Sequence, residues 1–135
     1  MHSRILLLED NPADVFLIRE ALRSHQVDSE IEWLADGDRA VERIGHFGGA
    51  TPPPDLILLD LNLPRMEGKE VLAHIRENSH LDHTRVAILT SSDAEHDRVE
   101  TASLGANCYI IKPPTLDEYL RVGVAIRELL EARPI

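Results

Sequence analysis

Four short apolar runs in this chain each end in a chemically capable polar residue. Ile5-Leu6-Leu7-Leu8 leads into Glu9-Asp10, and Leu56-Ile57-Leu58-Leu59 into Asp60. Val86-Ala87-Ile88-Leu89 leads into Thr90-Ser91, and Cys108-Tyr109-Ile110-Ile111 into Lys112-Pro113. Runs of this length, rich in Ile, Leu and Val, read as strands buried on both faces of a parallel sheet. In an open parallel sheet, ligands bind beyond the carboxyl ends of the strands. Three carboxylates, a hydroxyl and an ammonium are therefore expected to meet at one sheet edge. Such a set suits a divalent cation and a phosphoryl group.

Helical patterns separate the runs. Asn11 offers a cap and Pro12 a first-turn proline, after which Val15, Ile18 and Leu22 fall on one face. Ile31 and Trp33 alternate with Glu30 and Glu32, which suits an edge strand. A second helix is expected over 38–44, followed by a Gly- and Pro-rich loop over 45–54. A third is expected over 68–77. A more polar fourth covers 93–104, with Val99, Ala102 and Leu104 as its apolar contacts and Gly105 as its stop. The last begins at Thr115, with Glu118 completing a capping box, and buries Leu116, Tyr119, Leu120, Ile126 and Leu130. Five β-α units in succession predict a doubly wound five-stranded parallel sheet with right-handed crossovers.

The 135 residues suit one domain, 1–135, with no second output domain. A formal charge of −10 argues against nucleic acid and against anionic lipid, both of which need a basic surface. No apolar stretch is long enough to span a bilayer, and the first apolar run is too short for a signal peptide. The lone Cys108 excludes a disulfide framework and reads as a small buried apolar residue. Together these features point to the cytoplasm. The seven histidines form no dense ligand motif, and His80 and His83 lack a third partner nearby. Trp33 reads as a packed edge-strand side chain.

The site has its own logic. Glu9, Asp10 and Asp60 would bring three negative charges together, so at least one pKa should rise. Mg²⁺ relieves this, because it prefers carboxylate oxygens, keeps several waters and accepts phosphate oxygens. Asp60 can attack a phosphoryl group as a carboxylate nucleophile and become an acyl phosphate. Lys112 is a flexible point charge suited to one phosphoryl oxygen, and the Thr90 hydroxyl can donate to another.

On these residues the chain resembles the receiver domains of two-component response regulators, over its whole length. Glu9-Asp10 matches the family's acidic pair, and Asp60 in Asp60-Leu61-Asn62-Leu63-Pro64 its phosphoacceptor. Thr90-Ser91 matches the hydroxyl residue and its small neighbour, Tyr109 the aromatic switch, and Lys112-Pro113 the lysine with a cis peptide after it. The resemblance implies the flavodoxin-like receiver fold, a doubly wound sheet with strand order 2-1-3-4-5. It implies Mg²⁺ held directly by Asp10, Asp60 and the backbone carbonyl of Asn62, with Glu9 acting through water. It implies a sensor histidine kinase whose phosphohistidine supplies the phosphoryl group. Thr90 then moves toward the phosphate, Tyr109 turns inward, and a face made of the fourth helix, fifth strand and fifth helix changes shape.

Asn107-Cys108-Tyr109-Ile110-Ile111-Lys112-Pro113, Glu9-Asp10-Asn11-Pro12-Ala13-Asp14 and the Pro-rich loop resemble a narrower group, the stand-alone regulators of bacterial and cyanobacterial phytochrome kinases. That resemblance implies a homodimer through the same face, with Leu104, Tyr109, Tyr119, Val122 and Ile126 as apolar candidates. Pro113-Pro114 departs from the family by doubling the proline.

Rival readings stay open at this point. An FMN-binding flavodoxin-like protein would need a Ser-, Thr- or Gly-rich loop after the first strand, where this chain has Glu9-Asp10-Asn11-Pro12-Ala13-Asp14. A haloacid-dehalogenase-type phosphatase would need a carboxylate where Asn62 stands. A receiver-like scaffold that is never phosphorylated, a phosphorelay intermediate and a phosphate sink are further alternatives. The expectation is a switch that phosphorylates itself at Asp60 and is not an enzyme with turnover on an external substrate.

Overall fold

The computed structural model describes residues 2–132. Its elements run β1 (Ser3–Leu8), α1 (Pro12–Ser24), β2 (Ser29–Leu34), α2 (Gly37–Gly45), β3 (Leu56–Leu59), α3 (Gly68–Glu77), a 3₁₀ turn (Ser79–Leu81), β4 (Arg85–Thr90), α4 (Glu95–Ser103), β5 (Cys108–Ile111), α5 (Leu116–Leu120) and α6 (Val122–Glu131). All strand pairs are parallel, and the sheet order is β2-β1-β3-β4-β5. This is the expected doubly wound order.

The sheet separates two apolar layers. On one face Leu6, Leu8, Ile57, Leu59, Val86 and Ile88 pack with Ala40 and Ile44 of α2 and Val71, Leu72 and Ile75 of α3. On the other, Ile5, Leu7, Leu56, Leu58, Ala87 and Leu89 pack with Val15, Ile18 and Leu22 of α1, and with Tyr119, Val122 and Ile126 of α5 and α6. The period-2 pleat sends alternate residues of each central strand to opposite layers, so a continuous apolar run is what both layers require. No helix among the described residues is long and apolar enough to cross a membrane.

Local chemistry sets the element ends. Asn11 caps α1 by accepting from the Ala13 N–H at 2.9 Å, with Pro12 at the first helical position. Asp36 caps α2 by accepting from the Arg39 N–H at 2.8 Å, so this helix starts before the expected Asp38. Gly68 opens α3 where a Cβ would lie 2.4 Å from the Asp60 carbonyl oxygen. Only glycine lets this helix start so close to the residue that ends β3.

Several expectations need correction. Val99 is 59% exposed and Ala102 is also exposed. The buried residue of α4 is Thr101, whose hydroxyl donates to the Asp97 carbonyl at 2.8 Å. The last helix is two helices, with i→i−3 hydrogen bonds at Arg121 and Val124 tightening the chain between them. This tight segment seats Gly123 where a Cβ would lie 2.3 Å from the Ala21 carbonyl oxygen of α1. Thr115 does cap α5, accepting from the Glu118 N–H at 3.3 Å, but Leu116 faces outward at 57% exposure. In β5, Cys108, Tyr109 and Ile110 are half-buried and Ile111 is exposed, because this strand forms a sheet edge. Trp33 is half-exposed rather than packed away, and its indole N–H donates to the Glu9 carbonyl at 2.6 Å. The resemblance implied a cis peptide at Lys112-Pro113; among the described residues every peptide bond is trans.

Candidate functional site

The sheet order puts β1 and β3 side by side, so Glu9-Asp10 and Asp60 leave the sheet together at its carboxyl edge. Carboxylate oxygens of Glu9, Asp10 and Asp60 lie within 4.8 Å of one another. Glu9 is 1% and Asp60 5% exposed, whereas Asp10 faces solvent. Two buried acids and one wet acid at this spacing suit a hard cation that keeps part of its water shell.

Lys112 enters from the end of β5. Its backbone N–H donates to the Thr90 carbonyl at 2.7 Å, extending the β4–β5 ladder by one bond. Its ammonium reaches Asp60 Oδ2 at 2.8 Å, Glu9 Oε2 at 2.8 Å and Asp14 Oδ2 at 2.9 Å. The other Asp60 oxygen, Oδ1, accepts from the Asn62 N–H at 3.1 Å. Glu9 Oε1 accepts from the Asn11 N–H at 3.1 Å.

The electrostatics divide the two buried acids. Burial pushes the Glu9 carboxyl up to about 7, although the Lys112 ammonium opposes the rise. Burial acts on Asp60 in the same sense but loses to the Lys112 hydrogen bond and the Asn62 N–H, so its carboxyl sits below the usual range. Glu9 is thus the carboxyl that rises, through burial first and the charge of Asp60 only second, rather than through crowding of the acids alone. Asp60 stays ionised, as a nucleophile must. Lys112 is pushed up despite its burial, by Asp60, Glu9 and Asp14, and carries its charge throughout the physiological range.

The remaining expected residues lie around this centre. Thr90 ends β4 fully buried, and its Oγ1 is 3.5 Å from the Ser92 N–H. Ser91 is exposed just beyond it. Among the described residues no hydrogen bond joins Thr90 to Asp60. Tyr109 sits one layer away, half-buried, with its hydroxyl donating to the Ser92 carbonyl at 2.8 Å and Arg98 stacked 4.8 Å from its ring centre. The strand that carries Tyr109 thus already touches the segment that follows Thr90.

Two residues that the sequence did not assign to the site border it. Asp14 holds Lys112, and the Tyr119 hydroxyl donates to Asp14 Oδ1 at 3.3 Å. The only signal for Asp14 was an acid in the first turn of a helix that starts at the sheet edge, one turn after Asp10. Burial and the neighbouring Asp14 raise the Tyr119 phenol.

Comparisons with known proteins agree with this geometry. The response regulator receiver domain family matches residues 5–122. Response regulator Rcp1 of Synechocystis sp. is 40% identical over 120 residues, which cover 87% of this chain and 82% of that protein. The probable methanogenesis regulatory protein FilR2 of Methanothrix harundinacea is 38% identical over 125 residues, covering 92% and 81% respectively. Among solved structures, the phosphorylated cyanobacterial phytochrome response regulator RcpA matches with a TM-score of 0.87 at 38% identity, over 100% of this chain and 98% of that one. The Mn²⁺-bound form of Rcp1 matches with a TM-score of 0.85 at 38% identity, over 98% of each chain. The chain belongs to the response regulator receiver domain family.

Proposed function

We propose that the chain is a cytoplasmic phosphoacceptor switch. In this reading Asp60 takes a phosphoryl group from a phosphohistidine of a sensor histidine kinase. The supporting observation is the contact between Lys112 and an ionised Asp60 beside two further acids at the sheet edge. An Asp60 oxygen forms the new P–O bond, the P–N bond breaks, and the leaving imidazole takes its proton from water. Lys112 steadies the charge on the transferred group, and the Asn62 N–H holds the acceptor carboxylate in place. Thr90 and Ser91 supply donors at the neighbouring strand end. Mg²⁺ bound by Asp10, Asp60 and the Asn62 carbonyl, with Glu9 behind a water, would offset charge on the phosphoryl oxygens. The donor set fits that ion, being oxygen-only and partly solvent-facing.

The kinase is a phytochrome-type sensor in this reading, supported by the likeness to the phytochrome response regulator RcpA. Intact mass after incubation with acetyl phosphate tests the acceptor chemistry. A single adduct that depends on Mg²⁺ supports it. A chain that stays unmodified with acetyl phosphate and with phosphorylated kinase would be a scaffold instead.

Cation binding is expected to depend on pH. Glu9 must shed its proton to help hold the ion, so Mg²⁺ affinity should rise from pH 6 to pH 8, by up to about tenfold per unit below about 7. Trp33 reports on this, since its indole touches the Glu9 carbonyl. A fluorescence titration giving the same affinity at pH 6 and pH 8 would remove Glu9 from the ion's surroundings.

Homodimerisation through α4, β5 and α5 is also part of this reading. Three of the five apolar candidates that the sequence suggested are out of a partner's reach, while Leu104 and Tyr109 stay half-buried. Tyr119, Val122 and Ile126 are buried in the core, whereas Val99, Ile111 and Leu116 expose apolar side chains. Leu116→Glu is expected to shift a dimer toward monomer by tenfold or more, about 1.4 kcal/mol or greater, in analytical ultracentrifugation. A wild-type chain that sediments as a monomer, with and without phosphorylation, would refute the dimer.

A further inference from the structure

We propose that Asp14 is a positioning residue for Lys112, and that Tyr119 secures it for that task. The inference rests on Asp60 being the phosphoacceptor. An ammonium has three N–H donors, and here three carboxylate oxygens at 2.8, 2.8 and 2.9 Å match them one for one. Two of those carboxylates, Glu9 and Asp60, belong to the acidic cluster that would hold the cation. They have other tasks during phosphoryl transfer. Asp60 becomes the acyl phosphate itself. Asp14 lies outside that cluster and is the partner with no other reaction role.

The lysine needs such a partner. Its four-carbon stem is flexible, and an unanchored ammonium would spread over several positions. Asp14 is itself well fixed. It stands in the first turn of α1, and its second oxygen accepts from the Tyr119 hydroxyl at 3.3 Å. Tyr119 is 2% exposed, in the layer where α1 packs against α5. A chain of contacts thus runs from the packed core through Tyr119 and Asp14 to the ammonium. Lys112 is tied to the sheet edge on one side and to α1 on the other.

Two variants separate placement from charge. Asp14→Ala and Asp14→Asn both remove one negative charge near the cation, so both should weaken Mg²⁺ binding by the same modest factor in a Trp33 fluorescence titration. Their phosphorylation rates should differ. At saturating Mg²⁺ and acetyl phosphate, Asp14→Ala is expected to slow Asp60 phosphorylation about tenfold, because the ammonium is no longer placed. Asp14→Asn keeps an oxygen that accepts from Lys112 and should recover most of that loss. Tyr119→Phe should lie between wild type and Asp14→Ala. An Asp14→Ala rate within twofold of wild type would overturn the inference. So would equal losses in the Ala and Asn variants, which would mean that charge or fold alone is at work. A wild-type chain that accepts no phosphoryl group, or an Asp60→Asn variant that still does, would instead overturn the acceptor reading on which this rests.

Discussion

Asp60→Asn is expected to leave no detectable phosphoryl adduct, with the rate falling at least about a thousandfold, as when a covalent nucleophile is removed elsewhere. The amide matches the carboxylate in shape and keeps an oxygen for the Asn62 N–H, which now meets Asp60 Oδ1 at 3.1 Å. The fold should therefore survive while the chemistry does not. No neighbour can substitute. Glu9 is protonated for much of the range below about 7 and is fully buried, and Asp10 has no contact with the Lys112 ammonium. Of the three clustered acids, Asp60 is the one that pairs a lowered carboxyl with a cation in contact. Intact-protein mass after acetyl phosphate treatment checks this directly, and an adduct of equal yield in the variant would move the acceptor elsewhere.

Lys112→Ala is expected to carry the largest stability effect at the site. It strips the cation from two acids that are 1% and 5% exposed. Removing one partner of a buried ion pair typically costs about 3–5 kcal/mol. The pH dependence gives this cost a signature. In the wild type, Asp60 ionises below its ordinary value of 3.8, so its share of stability is present above that value and is lost as pH falls through the lower folded one. Glu9 behaves oppositely. Its folded value of about 7 exceeds its ordinary 4.5, so its share is full below 4.5 and declines as pH rises to about 7. Without Lys112 both acids shift upward. The folded variant then binds more protons than the unfolded chain and gains stability on acidification. Urea midpoints of the metal-free proteins should therefore differ most above pH 7 and converge toward pH 5. A difference that stays constant across that range would show that Lys112 does not pair with these acids.

Much of this was legible in the sequence, and the reasons are physical. A central parallel strand must be apolar on both faces, so Ile5–Leu8, Leu56–Leu59 and Val86–Leu89 declared themselves without any tertiary information. The residue that ends such a run must sit at the carboxyl edge, which brought Glu9, Asp60, Thr90 and Lys112 into one neighbourhood. The misses fall where burial depends on the neighbouring elements. β5 resembles a central strand in composition, but its place at the sheet edge leaves Ile111 exposed. Leu116 has the helical spacing of a core residue, yet it precedes the tight segment at Arg121 that turns α6 onto α1. Val99 shares its helix with Thr101, and the hydroxyl residue took the buried place by bonding to the Asp97 carbonyl. Asp14 and Tyr119 lie 105 residues apart, and only the packing of α1 against α5 brings them together.

The most direct test of the account is chemical mapping of the acceptor. The chain is phosphorylated with acetyl phosphate and Mg²⁺, reduced with borohydride, digested and sequenced by mass spectrometry. Borohydride converts an aspartyl phosphate to homoserine and leaves a free aspartate untouched. The account predicts homoserine at position 60, dependent on Mg²⁺ and on prior phosphorylation. Homoserine at Asp10 or Asp14, or a phosphate that survives borohydride on a serine, threonine or histidine, would contradict it.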